Sequence, residues 1–209
     1  MDPLNAAIRR VPPWLLYVLA PLPAVWWLWL GLHGGLGAEP IRALERLLGE
    51  FALQLLVVVL AITPLRRWLG LNLLRLRRAI ALVAFFYVCL HLLVWLVLDM
   101  NLLWGQILGD IAKRPYITLG MTAFALMVPL ALTSNDRAVR RLGAAAWRRL
   151  HRLTYPAVVL AGLHYVLVVK GWQLQPLVYL GAILLLLALR LDSRLPIPGR
   201  CAIRVSSKG

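Results

Sequence analysis

Long apolar runs alternate with short polar connections along the chain. Six runs can be marked, roughly Trp14 to Leu32, Leu47 to Leu65, Ala79 to Leu98, Tyr116 to Leu132, Leu153 to Val169 and Leu174 to Leu189. A helix needs about 20 residues to cross roughly 30 Å of hydrocarbon. Each run approaches that length, and the fifth and sixth are expected to extend into their flanks. The runs are continuous rather than alternating. That excludes a membrane β-barrel and leaves helices, which satisfy their own backbone in lipid. The pattern predicts an all-α integral membrane protein, a six-transmembrane-helix bundle over residues 1–195 with a basic tail at residues 196–209. Pro21, Pro23, Pro129 and Pro156 are expected to kink or start helices.

Arg9 and Arg10 precede the first run, as in a signal peptide. The run is long, no clean small-residue cleavage site follows it, and five further runs come after. It reads as a retained span. The polar connections set a direction. With the N-terminus in the cytoplasm, 18 Lys and Arg residues fall on the cytoplasmic side, and only Arg42, Arg46, Lys113, Arg114 and Lys170 on the other. The positive-inside rule then predicts that both termini are cytoplasmic.

Composition supports the membrane class. Hydrophobic residues are 62% of the chain and charged residues 15%, against about 25% charged in a soluble domain. The formal net charge of +15 is spread between apolar runs and forms no separate basic domain. Anionic lipid headgroups, not nucleic acid, are the implied partner. No connection is large enough to be a soluble catalytic domain. Cys89, inside a run, and Cys201, in the tail, show no metal spacing, and no disulfide is expected.

The sequence also echoes itself. Arg66-Arg67-Trp68-Leu69-Gly70 and Arg77-Arg78 lead into the run with His91; Arg140-Arg141-Leu142-Gly143 and Arg149-Leu150-His151-Arg152 lead into the run with His164. Gly70 to Gly143 and His91 to His164 are both 73 positions apart. Either one helix-hairpin unit is used twice, or two arginine-rich loops match by chance. Used twice, the unit makes the two His-bearing helices parallel and equivalent.

His91 and His164 lie well inside apolar runs, where an imidazole must have a partner. Each sits about 17–18 Å from the cytoplasmic edge at the helical rise per residue. Two imidazoles at one depth on parallel helices can bind both axial faces of a haem iron. Two separate helix–helix hydrogen bonds are the alternative. His151 and Arg77 each precede their run by two residues and so share a depth at the cytoplasmic edge. Arg77 and His91 share a helix face, whereas His151 and His164 do so only if the helix tilts or starts irregularly near Pro156. Guanidinium has no lone pair to give a metal, so Arg77 suits a haem propionate or a lipid phosphate. One haem thus has two plausible ligands, and a second only one. His33, among glycines at the end of the first run, reads as a solvated loop residue.

Several motifs carry a resemblance: Thr63-Pro64-Leu65-Arg66-Arg67, Cys89-Leu90-His91-Leu92, Lys113-Arg114-Pro115-Tyr116-Ile117-Thr118-Leu119-Gly120, Leu130-Ala131-Leu132-Thr133-Ser134 and Trp147-Arg148-Arg149-Leu150-His151-Arg152-Leu153-Thr154-Tyr155. With them the chain resembles, over nearly its whole length except the extreme C-terminal tail, the MsrQ family. These are haem-binding membrane subunits of the bacterial periplasmic methionine sulfoxide reductase system. The fold resembles the wider ferric-reductase and NADPH-oxidase transmembrane domain. The resemblance implies haem b, FMN and a place in the bacterial inner membrane. It implies electrons drawn from the quinone pool or a cytosolic flavin reductase, and passed to a periplasmic molybdopterin-containing methionine sulfoxide reductase catalytic subunit. His91, His151 and His164 match the family's haem histidines, and Arg77 stands where the wider superfamily has a fourth histidine. No glycine-rich phosphate loop for FMN is found.

The leading expectation is therefore a transmembrane electron conduit without a substrate site of its own. A cytochrome b subunit of another oxidoreductase is the near alternative. A proton-coupled transporter is the distant one, disfavoured because Glu50 is the only acidic residue within a marked run. The connection from Asp99 to Tyr116, with Lys113 and Arg114, is expected either to help seat a periplasmic partner or to anchor the chain at the interface.

Overall fold

The computed structural model describes residues 2–169 and 173–191, which contain helices and no strand. Lys170, Cys201 and the tail at 196–209 lie outside the described residues. In chain order the elements begin with α1 (Asp2–Arg10), α2 (Pro13–Leu19), α3 (Pro21–Leu32) and α4 (Pro40–Leu69). Next come α5 (Leu74–Val94), prolonged by a π-helical turn (Trp95–Asp99), then α6 (Trp104–Lys113) and α7 (Pro115–Leu132). The last are α8 (Asp136–Leu142), α9 (Ala144–Leu150), a 3-10 turn (His151–Leu153), α10 (Thr154–Val168) and α11 (Leu174–Leu191).

Four stretches are long and apolar enough to cross a membrane: Pro13–Leu32, Pro40–Leu69, Leu74–Asp99 and Pro115–Leu132. They correspond to the first four runs. The fifth and sixth runs fold as α10, 15 residues long, and α11, whose apolar part Leu174–Arg190 is shorter than those four. Large apolar side chains point outward, among them Trp14 at 60% and Leu132 at 72% exposure, while no described polar or charged residue is buried. In water such a surface would aggregate; in lipid it is the solvated face. The chain is an integral membrane protein.

Proline marks where helices begin. α2, α3, α4 and α7 each have proline in the first turn, where its missing N–H goes unneeded. Pro21 and Pro23 also split the first run into α2 and α3 at Ala20. The fully buried Tyr87 donates its hydroxyl to the Ala20 carbonyl at 2.6 Å, fastening that break to α5. α4 stops at Gly70, whose φ of +67° is the left-handed cap glycine tolerates best.

Pro64 within α4 cannot donate to the carbonyl four residues earlier. That carbonyl, Leu60, instead receives Nη2 of Arg190 at 2.7 Å, and Val59 receives the same nitrogen at 3.1 Å. A guanidinium on α11 thus satisfies what the proline leaves open. Arg190→Ala should lower stability by about 1–3 kcal/mol, the range for an orphaned buried acceptor. Pro64→Ala supplies the missing N–H, so the two substitutions together should cost less than their sum. A double-mutant cycle on unfolding midpoints in detergent reads this, and strict additivity would refute the account.

The main core joins α4, α5, α7, α10 and α11 through Leu56, Leu60, Ala84, Met127, Val158 and Ile183. α2 and α3 pack outside it through Leu16, Ala20, Ala24 and Trp27, against Leu48, Val83 and Tyr87. The tightest helix pairs are α4 with α5 and α7 with α10. These are the two hairpins of the sequence echo.

Candidate functional site

His91 on α5 and His164 on α10 face each other across the bundle. Their ring centroids lie 6.2 Å apart and their planes are inclined by 76°. The sequence placed them at one depth, and the fold brings them together. Each ring is held from behind in the same way. Nδ1 of His91 donates to the Glu45 carbonyl on α4 at 2.9 Å, and Nδ1 of His164 donates to the Tyr116 carbonyl on α7 at 2.7 Å. A carbonyl can only accept, so the proton sits on Nδ1, and in the neutral ring the Nε2 lone pair is left free. A backbone carbonyl on the far nitrogen orients metal-binding histidines generally.

A cavity of about 860 Å³ opens between the rings, with Leu53, Leu56, Val88, Phe124 and Met127 among its apolar walls. Arg42, Arg46 and Arg114 stand at its polar part, together with Glu39, Glu45, Glu50 and Asp99. The residues fit a haem on three counts. Two metal–imidazole bonds of about 2 Å each, with the half-width of each ring, give a centroid spacing close to the 6.2 Å observed. The walls suit a macrocycle, and the arginines suit its carboxylates.

Glycine allows this packing. A Cβ on Gly49 of α4 would lie 2.9 Å from Nδ1 of His91; a Cβ on Gly120 of α7 would lie 2.9 Å from Nδ1 of His164. Each glycine stands four residues after the carbonyl that holds its histidine. Glu45 to Tyr116 and Gly49 to Gly120 are both 71 positions. The repeat seen in the sequence therefore extends to the backs of the rings. The first marked boundary of α4, at Leu47, hid Glu45; its extension to Pro40 makes Glu45 a second acidic residue in that helix, beside Glu50.

His151 and Arg77 meet in a second cavity of about 630 Å³, with Arg78, Trp147, Arg148 and Tyr155 also in its wall. Their shared depth thus becomes a shared site. His151 occupies the 3-10 turn ahead of α10, an irregular start just before Pro156. Its ring stacks on Trp147, with centroids 3.9 Å apart. Its Nε2 is hydrogen-bonded to Thr133 Oγ1 at 3.1 Å, and that hydroxyl also lies 2.6 Å from the Pro129 carbonyl. His151 thus makes its hydrogen bond through Nε2, where His91 and His164 make theirs through Nδ1. Burial, then Arg77 and Arg78, hold its pKa below the ordinary 6.5, so it is neutral at pH 7. Asp136 pairs with Arg78 at 2.9 Å, whereas no hydrogen bond or ion pair joins Arg77 to another described residue.

Leu56 and Met127 line both cavities. Phe85 of the second stacks on Phe124 of the first, with centroids 5.9 Å apart and planes 7° from parallel. One layer of side chains separates the two spaces.

The other sequence candidates separate. His33 is exposed on the end of α3 and bonds Trp29 of its own helix. Lys113 is exposed, whereas Arg114 pairs with Asp110 at 3.3 Å, donates to the Tyr116 hydroxyl and lines the first cavity. Among the described residues no group of three or more His, Cys, Asp or Glu is placed to hold a metal ion.

The family described as ferric reductase like transmembrane component matches residues 47–162. That stretch contains Gly49, Arg77, His91, Gly120 and His151 and stops two residues before His164. The chain is also similar to proteins named protein-methionine-sulfoxide reductase heme-binding subunit MsrQ, from Brucella ovis, Brucella canis and Brucella suis. Each is 45% identical over 178 residues, covering 85% of this chain and 80% of the relative.

Proposed function

Since the chain belongs to the MsrQ family, within the ferric-reductase-like transmembrane proteins, we propose that it is the haem b subunit that carries electrons across a bacterial inner membrane to a methionine sulfoxide reductase. The observation that carries this reading is the pair His91 and His164, 6.2 Å apart with both Nδ1 atoms tied to backbone carbonyls. A bound haem supplies one-electron chemistry. The chain's own part is to present two Nε2 lone pairs, exclude water with apolar walls, and set Arg42, Arg46 and Arg114 for the propionates.

One haem is the reading the second cavity favours. His151 is hydrogen-bonded through Nε2 to Thr133, and Arg77 has no lone pair to offer. That cavity instead suits an anionic group of the electron supply, with Arg77 as its counter-charge: FMN, or a donor drawn from the quinone pool or a cytosolic flavin reductase. The acceptor is the periplasmic molybdopterin-containing catalytic subunit. In this reading α10 and α11 complete six spans, both termini are cytoplasmic, and the His91–His164 cavity lies toward the periplasm.

Two measurements test the proposal. The purified protein should show a Soret band of low-spin haem b at one haem per chain; absence of haem would remove the conduit reading. For direction, Ala112→Cys on exposed α6, in a Cys201→Ser background, should react with an impermeant thiol reagent on whole spheroplasts. Reaction only after lysis would invert the topology.

A further inference from the structure

We infer that Gly49 and Gly120 are paired positioning residues that fix the plane and the tautomer of the two haem-binding imidazoles. The inference rests on the haem reading above and concerns how the ligands are held. Glycine is common in membrane helices, but these two share one surrounding. Neither is at a turn, and neither has a positive φ. What each lacks is a Cβ, and the space left is filled by a ring. A Cβ on Gly49 would lie 2.9 Å from Nδ1 and 3.1 Å from Cε1 of His91; one on Gly120 would lie 2.9 Å and 3.0 Å from the same atoms of His164. Those separations are too short to hold.

The carbonyl that holds each ring comes from one helical turn earlier on the same helix. Carbonyl and glycine therefore work together. The bare backbone lets the imidazole edge come close enough for Nδ1–H to reach Glu45 or Tyr116, and the hydrogen bond then fixes the ring's rotation. Adding a methyl group moves the ring away from its acceptor and turns it. Coordination through both Nε2 atoms puts the iron axis in each ring plane. The 76° inclination then becomes the twist between the two ligands about that axis. Nearly perpendicular imidazoles give low-spin ferric haem an electron paramagnetic resonance signal of the large-gmax type, and parallel ones give an ordinary rhombic signal. Loss of an outer-shell partner typically weakens a metal site 10–100-fold.

The test is the resonance spectrum and midpoint potential of the haem-loaded protein and three variants. Wild type should give the large-gmax signal. Gly49→Ala and Gly120→Ala should each move it toward the rhombic type, shift the potential and lower haem affinity by roughly 10–100-fold. Gly162→Ala is the control for helix crowding: its Cβ would meet Ile183 and Leu180 side-chain atoms at 3.1 Å and no histidine. It should leave the signal type unchanged. A rhombic wild-type spectrum overturns the inference without any variant having to fold. So does a wild-type signal retained in Gly49→Ala and Gly120→Ala. Absence of any haem signal in wild type would instead overturn the functional reading beneath it.

Discussion

Replacing His91 or His164 by alanine should abolish the low-spin haem spectrum, and either substitution alone should suffice. Iron held by two imidazoles loses its six-coordinate state when one is removed, and the facing ring cannot replace it across 6.2 Å. Haem affinity should fall by more than the roughly 10–100-fold that losing an outer-shell partner costs. The chain itself should still fold. Each substitution removes one side-chain donor to a carbonyl within a helix. Optical spectra and haem-to-protein ratios of the purified variants read the outcome. Full haem content with an unchanged low-spin spectrum in both variants would falsify the ligand assignment.

The second large effect belongs to the other cavity. His151→Ala and Arg77→Ala should leave the low-spin haem and its stoichiometry intact and slow reduction from the cytoplasmic side. A slowing on the order of tenfold corresponds to about 1.4 kcal/mol on the barrier. The two substitutions should resemble one another because both residues wall the same space. Arg77→Ala has a further signature. It removes one of the charges that hold the His151 pKa down, so in that variant the ring should take up its proton at higher pH, nearer 6.5. Stopped-flow reduction and a titration followed by nuclear magnetic resonance separate these effects. Half the haem missing in His151→Ala would instead make that residue a ligand of a second haem.

The deep histidine pair was legible in the sequence because lipid makes an unpartnered imidazole expensive, so its position carries information. The 73-residue offset of His91 and His164 fitted either a hairpin unit used twice or a chance match of arginine-rich loops. What supports the rings was harder to see. Glu45 and Tyr116 act through backbone carbonyls, which leave no trace in residue type. Gly49 and Gly120 did leave one, their own 71-residue offset, but a glycine in an apolar run is common in membranes. Apolarity also blurs helix ends. α4 begins at Pro40 and not Leu47, where hydropathy first rises, and the Glu39-Pro40 pair was the better marker. α6 could have been found inside the connection before Tyr116, since Trp104, Ile107, Leu108 and Ile111 follow a helical period. An irregular start near Pro156 was foreseeable, but the hydrogen bond of His151 to Thr133 was out of reach: the two are 18 residues apart and belong to different elements.

The two Nδ1 bonds also bear on biogenesis. Each is made inside one hairpin, His91 to α4 from α5 and His164 to α7 from α10. Helices that enter a bilayer before they associate must each tolerate lipid in the meantime. A hairpin that satisfies one nitrogen of its histidine internally carries a smaller polar debt during that interval. The cavity between the histidines exists only after the hairpins have met, since its walls come from both. Insertion of the polypeptide can therefore precede delivery of the prosthetic group, and the newly made protein can wait in the membrane as an assembled receptor.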